Sequence, residues 1–425
     1  MARSKSRDTP VCGLMHPLTT PVLAARRPPR ALATSRWLRL AVTMTVLLTL
    51  ACSDTPRTPA GNGVPSWRVS TDPDVVIGAE GDPRYEFHRI TDIAALSDRS
   101  IVVADAGSQI RLYDENGRFV RSFGGPGEGP GEFIGTIGIA VRGDSILVHE
   151  SFPGPARVHA FDAESGFLYT TLLRPEGESS GVAARAIIST SVLVVVPGRD
   201  FRVLTPPPEG TVVRDSVRLG LLRLDERQVV TWIGYVPESS FYSYSPSPGG
   251  RSRLGAGTYT LGPSLQLATS GGLTWVGDPA TGMISLFDTT GAVAAQAEHP
   301  LPARAYDEQA LEQVRAEDLE QIKDDAPEWQ TASIEALYAR ELRPAAAPRF
   351  AKFTAGPDGE MWIECYSEIR TAAHCAVTLD RTGNYIGRTT IPEGFVLHAV
   401  DRDRLIGVQI DPNGIQQIVI YELRR

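Results

Sequence analysis

The sequence has no apolar run of the roughly 18 to 20 residues that a membrane-crossing helix needs, which excludes a multi-span helical membrane protein. It is also short of positive charge, with 42 Lys and Arg against 50 Asp and Glu. Eight of those basic residues and one acid (Asp8) fall in residues 1–51, so the rest of the chain carries 34 basic against 49 acidic residues, a net charge near −15. Nucleic-acid binding needs clustered Lys and Arg to neutralise phosphates, and an acidic body of this kind disfavours it. Catalytic signatures are missing too. There is no Gly-x-Ser-x-Gly elbow and no H-x-x-x-H pair. Of seven His, six (His88, His149, His159, His299, His374, His398) are scattered beyond the leader, although His149 and His398 could face inward as metal ligands. The Gly-rich run 124–131 lacks the Gly-Lys-Ser/Thr end of a phosphate loop and leads into no helix.

What remains is ordinary for a globular chain: 42% hydrophobic, 22% charged, with 40 Gly and 32 Pro among 425 residues. That is rich in turns but below low complexity. Length alone predicts two or three domains.

The leader is an address. Ser35-Arg36-Trp37-Leu38-Arg39 precedes a 12-residue apolar run, Leu40 to Ala51, which ends at Cys52. A basic flank, a short apolar core and a small residue before the break make a secretory signal, residues 1–51. Ala51-Cys52 resembles the cleavage site of bacterial lipoproteins, which implies lipidation of Cys52 and an exported, membrane-anchored protein on the periplasmic or surface side of the cell envelope. One departure stands against it: Thr49 occupies the position where that family prefers Leu, Val or Ile, with Leu48 one place earlier. The plainer alternative is an ordinary secretory signal with an incidental cysteine. Residues 52–64, rich in Pro, Gly and Thr, read as a tether. Cys12 goes with the leader, so Cys365 and Cys375 remain, flanking a hairpin predicted over Trp362–Cys365 and Cys375–Leu379. They form either a cross-strand disulfide, which an exported compartment permits, or two buried thiols, depending on register.

Self-similarity dominates residues 65–425. A third-strand signature, an aromatic or Leu followed by an acid, recurs at Tyr113-Asp114, Phe161-Asp162, Leu224-Asp225, Phe287-Asp288, Leu379-Asp380 and Tyr421-Glu422. The spacings are 48, 63, 63, 92 and 42 residues. The clearest unit spans Ile90–Phe123, with strands around Ile93, Ile101–Asp105, Ile110–Asp114 and Phe119–Phe123, and a Glu115-Asn116-Gly117 turn of the kind a tight hairpin needs. The third copy is the least regular, because Arg185–Leu204 and Thr211–Trp232 divide into strands in more than one way.

This unit is similar to an NHL-type β-propeller blade. The run Phe123–Phe133, followed by Ile137-Gly138-Ile139-Ala140-Val141, resembles that family's link between blades. The chain as a whole resembles the six-bladed β-propeller lipoproteins of bacteria. The resemblance implies an all-β ring in one domain. Only three residues follow Glu422, so the sixth blade lacks a fourth strand; Trp67–Ser70 or Asp74–Ile77 could supply it and remove the exposed edges.

Residues 301–347, between the fourth and fifth blades, break the strand pattern. Leu311, Val314, Leu319 and Ile322 fall at near-helical spacing, and Ile334, Leu337 and Leu342 mark a second helix. Asp307 or Asp324-Asp325 can start helices. The insertion is either a lid or partner-docking arm at the rim of the funnel, or a packed decoration. The aromatic cluster around Trp232–Tyr235 and Phe241–Tyr244 offers a binding surface or packing between blades.

Four acids, Asp105, Glu150, Asp278 and Glu364, fall near the ends of second strands. In a ring they would converge on one rim and could hold Ca²⁺ or a cationic ligand; alternatively, each accepts backbone N–H groups in its own turn. The reading is a non-enzymatic module that binds a small ligand or an envelope protein, without nucleic acid. A metal-dependent hydrolase or lyase, using these acids or His149, is the alternative. Elemental analysis of residues 65–425 prepared without chelator separates the two: about one Ca²⁺ or Zn²⁺ per chain favours the hydrolase, and no stoichiometric metal favours the binding module.

Overall fold

Short strands build the fold, those in the middle of the sheets buried almost throughout (Ile101–Asp105, Met361–Cys365) and outer ones such as Phe119–Phe123 part exposed. The computed structural model describes residues 63–425, apart from 107–108, 136, 144, 151–155, 179–180, 199–206, 226, 246–254, 324–325 and 370. The leader, Cys52, most of the tether and Asp324-Asp325 therefore lie outside the described residues.

Two short strands come first, β1 (Arg68–Val69) and β2 (Val75–Ile77). The first sheet is β3 (Ile90–Ala95), β4 (Ile101–Asp105), β5 (Gln109–Tyr113) and β6 (Phe119–Phe123). The second is β7 (Ile137–Arg142), β8 (Ser145–Glu150), β9 (Arg157–Asp162) and β10 (Gly166–Leu172). The third is β11 (Val182–Ser189), β12 (Val192–Pro197), β13 (Val212–Arg223), β14 (Val230–Tyr244) and β15 (Gly255–Thr258). The fourth is β16 (Gln266–Ser270), β17 (Leu273–Asp278), β18 (Met283–Phe287) and β19 (Val293–Glu298). Helices α1 (Glu308–Glu320) and α2 (Glu328–Tyr338) follow. The fifth sheet is β20 (Phe350–Ala355), β21 (Met361–Cys365), β22 (His374–Leu379) and β23 (Tyr385–Ile391), and the last is β24 (Val396–Val400), β25 (Arg404–Ile410) and β26 (Gln416–Arg424). Every strand pairing in these sheets is antiparallel. The innermost strands of successive sheets lie side by side, β3 by β7, β7 by β11, β11 by β16, β16 by β20 and β20 by β24, and β24 lies by β3. The fold is all-β and propeller-like. Among the described residues no helix is long and apolar enough to cross a membrane.

The signature acids end the third strands for a local reason. The Asp114 carboxylate accepts from Asn116 N (3.0 Å) and Arg118 N (2.8 Å), and Asp380 accepts from Thr382 N and Asn384 N, both 2.9 Å. Such a turn needs a left-handed residue three places after the acid, and Gly117 (φ 79°) and Gly383 (φ 83°) supply it. The Gly-rich run wraps Phe133: Phe133 N donates to Gly125 O (2.8 Å) and Gly127 N to Phe133 O (3.0 Å). The ring of Phe133 is fully buried with Ile110, Ile146 and Phe161, between the first and second sheets.

The sixth copy of the signature has no following strand. Instead β26 pairs with both N-terminal candidates. Val69 faces Leu423 in β1, and Val76 faces Val419 in β2. The two segments thus share one nine-residue partner, where either one alone was expected. Trp67 anchors the entry. Its N–H donates to Arg388 O (2.8 Å), and its ring lies 5.2 Å from Trp362 and 5.1 Å beneath the Arg425 guanidinium.

Two expectations are corrected. The third sheet is larger than a four-stranded unit. Its β13–β14 hairpin runs past the sheet and gains β15, with register breaks at Arg214/Ser216 and Leu219/Gly220 that blur the repeat. The insertion does not rim the funnel. Asp307 caps α1 by accepting from Gln309 N and Ala310 N, and α2 lies against β14 and β15. Leu311, Tyr338 and Leu342 are buried with Tyr242, Tyr244 and Tyr259, so part of the aromatic cluster is the floor on which the helices sit. Tyr242 Oη donates to Ser333 O at 2.9 Å.

Trp67→Ala removes a buried aromatic that joins the fifth and last sheets. It is expected to cost about 3–5 kcal/mol, read as a lower urea midpoint at an unchanged slope.

Candidate functional site

A channel of about 580 Å³ runs between the innermost strands, and all six sheets contribute to its wall. Small and apolar residues such as Ala94, Ala140, Ala186, Leu267, Ala268 and Ala399 make up more than half of the lining residues, but polar groups provide the larger part of the exposed surface. Several of them come from the innermost strands. Asp92 from β3, Arg185 from β11, Lys352 from β20 and His398 from β24 occupy comparable positions early in their strands. Each is the single charged or titratable residue of its strand, such as Lys352 in Phe-Ala-Lys-Phe-Thr-Ala. Strand alternation turns that residue away from the neighbouring sheets and towards the axis.

His149 arrives by a different route. It sits on the second strand, β8, opposite Gly138 of β7. A Cβ on Gly138 would stand 2.4 Å from His149 Nε2, so only glycine lets the imidazole reach the channel. His149 Nδ1 is buried without a hydrogen-bond partner. Burial lowers the His149 pKa below its ordinary value; Asp92 opposes the shift and Arg185 adds to it. Burial also lowers that of His398, against the opposing pull of Asp92, whose Oδ1 lies 3.9 Å from Nδ1. Both imidazoles are neutral at pH 7.

The charges are unevenly matched. Asp92 accepts from Ile93 N (2.9 Å) and Ile139 N (2.8 Å), tying the first sheet to the second. Arg185 is held by Glu238 at 2.5 Å, which the long β13–β14 hairpin brings back to the innermost strand. Lys352 donates to Leu397 O, and among the described residues no carboxylate pairs with it. Arg142, further along the channel, donates to Ile188 O (2.7 Å), Val141 O (2.7 Å), Ile187 O and Thr269 Oγ1 (2.8 Å). It stitches β7, β11 and β16 together with neutral acceptors only, and burial lowers its pKa.

The four acids singled out in the sequence serve another purpose. Asp105 accepts from His88 N (3.1 Å) and Arg89 N (2.9 Å) and meets Arg111 at 3.3 Å. Glu150 accepts from Ile134 N and Gly135 N (2.8 Å), with Arg157 at 2.7 Å. In both, the carboxylate secures the link entering its own sheet. Burial would raise the Glu150 pKa, but His159, the Ile134 N–H and Arg157 outweigh it and hold the pKa below the usual carboxylate value. Asp278 accepts from Ala280 N (3.1 Å) and pairs with Arg214 (2.7 Å). Glu364 pairs with His374 at 3.0 Å. None of the four lines the channel. Among the described residues, no three His, Cys, Asp or Glu side chains come together in a way that could hold a metal ion. Cys365 and Cys375 are joined as a cross-strand disulfide with a Cα–Cα distance of 5.3 Å.

The sequence reading singled out His149 and His398 but missed Asp92, Lys352, Arg185 and Arg142. The available signal was one charged or titratable residue in five of the six innermost strands, all but β16.

A family model described as a 6-bladed beta-propeller (DUF5128) matches residues 77–173, which run from the end of β2 through the second sheet. The match spans less than a quarter of the chain. No curated protein matches. Among solved structures, the chain is similar to a DUF4221 family member from Bacteroides vulgatus, at 10% identity and TM-score 0.48, covering 85% of this chain and 100% of that one. It is also similar to a candidate exported protein from Bacteroides fragilis, at 12% identity and TM-score 0.44, covering 85% and 99%. A third is a protein of unknown function from Bacteroides thetaiotaomicron, at 14% identity and TM-score 0.37, covering 85% and 75%.

Imidazole titration by NMR tests the electrostatics. His149 and His398 are expected to titrate below the ordinary value near 6.5, and His374, which the Glu364 carboxylate favours in spite of burial, above it. His299 is pushed down to about 4 by burial. Such depressed groups stabilise the fold above the unfolded-state pKa, and their contribution fades as pH falls from about 6.5 through the folded value. A His299→Phe variant should therefore lose less stability than the parent between pH 6.5 and 4.

Proposed function

We propose that this chain is an exported, lipid-anchored, closed six-bladed β-propeller of NHL type that serves as a binding module, with the central channel as the ligand site. The circuit of neighbouring innermost strands, with β24 next to β3, supports the closed ring, as does the pairing of β1 and β2 with β26. Leu40–Ala51 and Cys52 support export and the anchor.

The observation that carries the binding reading is the channel itself. At about 580 Å³ it falls in the range of small-molecule sites, and polar or charged side chains from all six sheets (Asp92, Arg142, Arg185, Thr269, Lys352 and His398) converge on it. Its wall consists of sheet strands held by ladder hydrogen bonds, so the polar groups are positioned before any ligand arrives. A small ligand is favoured over a protein docked on residues 301–347, because the apolar faces of those helices are already spent on β14 and β15. The metal-dependent hydrolase draws no support from the four acids, each of which is committed within or between sheets.

Two measurements test this. Cys52→Ala should move the full chain from the membrane fraction to the soluble exported fraction; retention at the membrane would sink the anchor. Ala94 lines the channel two residues beyond Asp92, on the same side of β3. The full chain incubated with a small-molecule extract of its host should retain a compound by mass spectrometry that a folded Ala94→Trp variant does not. Equal retention by both would place the site elsewhere.

A further inference from the structure

The balance of donors and acceptors in the channel identifies the chemistry of the ligand. We propose that the channel selects a small anion, a molecule bearing a carboxylate or phosphate group, and that Lys352 meets that charge, with His149 and His398 as flanking donors. This rests on the channel reading above and narrows it.

Acceptors are the scarce resource. Both oxygens of Asp92, a carboxylate set among these polar groups, take backbone N–H groups, from Ile93 and Ile139. Glu238 is engaged with Arg185. Glu364 stands opposite Lys352 in the β20–β21 register; its Oε2 pairs with His374 at 3.0 Å and its Oε1 is buried without a partner, but it lies outside the channel wall and makes no ion pair with the lysine. At the far end, Asp401 is paired with Arg404 at 2.7 Å, and Asp358 and Arg402 are exposed charges of opposite sign.

Donors are left over. An ammonium has three N–H groups, and Leu397 O takes one of those of Lys352. Arg142 contributes a second half-buried positive charge whose partners are all neutral oxygens. His149 holds a buried, unpartnered Nδ1. Two half-buried cations without a carboxylate partner leave a positive potential in a recessed space. An anion that can accept hydrogen bonds answers both the charge and the unused donors. A cationic ligand would meet Lys352 and Arg142, with the exposed Asp358 as the unpaired carboxylate of the wall among the described residues, and a neutral one would leave the charge of the two cations uncompensated.

The groups facing the two imidazoles give the pH dependence its sign. His149 faces Asp92 and Arg185, and His398 faces Asp92, Lys352 and Glu364. Burial keeps both neutral at pH 7. A bound anion favours their protonated forms, so binding takes up protons and tightens as pH falls from 8 towards 6.

Calorimetric titration of the full chain with inorganic phosphate and with succinate, at low ionic strength, tests the proposal; glucose and putrescine serve as neutral and cationic controls. At least one anion should saturate. Its affinity should drop by about tenfold or more in Lys352→Met, as expected for losing a charge-assisted hydrogen bond, and be partly kept in Lys352→Arg. Circular dichroism melts establish that each variant is folded. Phosphate against succinate separates the two sources of the anion. Saturation by neither anion, or anion binding unchanged in Lys352→Met, overturns the proposal. If only glucose or putrescine saturates, and Ala94→Trp abolishes it, the anionic class fails while the channel reading survives. If an anion binds Ala94→Trp as well as the parent, both fail.

Discussion

The pairing of β26 with β1 and β2 is the constraint on which the rest depends. A sheet at the end of a chain presents a row of unpaired backbone groups, and here β1 and β2 cover them. The join is not made by hydrogen bonds alone. Trp67 fills the space between the fifth and last sheets with Trp362, Ile391 and Tyr421, and Thr389 Oγ1 donates to Trp67 O at 3.1 Å. Ile77, in turn, packs with Ile101, Ile406 and Ile420, so the same segment serves the core between the last sheet and the first. A channel with fixed geometry needs every sheet held at a fixed angle, and this seam is where that angle is set by residues far apart in sequence.

Most inter-sheet contact is apolar, but the polar contacts recur. Acids at the ends of second strands accept from the entering link, Asp105 from His88 and Arg89, Glu150 from Ile134 and Gly135. Arg142 reaches across two neighbouring sheets, and Asp92 accepts from the sheet beside its own. Buried polar groups like these are costly unless satisfied. Where they are satisfied they fix one arrangement of the sheets, which packing of Val, Ile and Leu alone tolerates less strictly.

Much of this architecture was legible in the sequence. The six acid signatures mark the six third strands, and in four of them (Asp114, Asp162, Asp288 and Asp380) a Gly three or four places on lets the acid close a tight turn, as Asp114–Arg118 and Asp380–Asn384 do. The helices of the insertion were legible from Leu311, Val314 and Ile334, but not their resting place, because nothing local says that Tyr242 and Tyr259 lie beneath them. The third sheet resisted for a related reason: bulges shift the strand alternation by one, and a periodic reading then assigns side chains to the wrong face. The channel residues were hardest. Asp92 is hundreds of positions from Lys352 and His398, and the three share one channel only when the sheets are arranged about an axis. The four acids looked convergent for the opposite reason, since a repeated position in a repeated unit suggests a shared site when it is a shared structural tie.

The seam also orders events in time. The partner of β1 and β2 is the last strand of the chain, ending at Arg424. While the polypeptide is made from its N-terminus, residues 68–77 have no partner until Gln416–Arg424 has been synthesised. The earlier sheets can collect locally, each from neighbouring strands, but the axis they surround stays open. The channel therefore takes its final form in one late step, when these two distant segments meet.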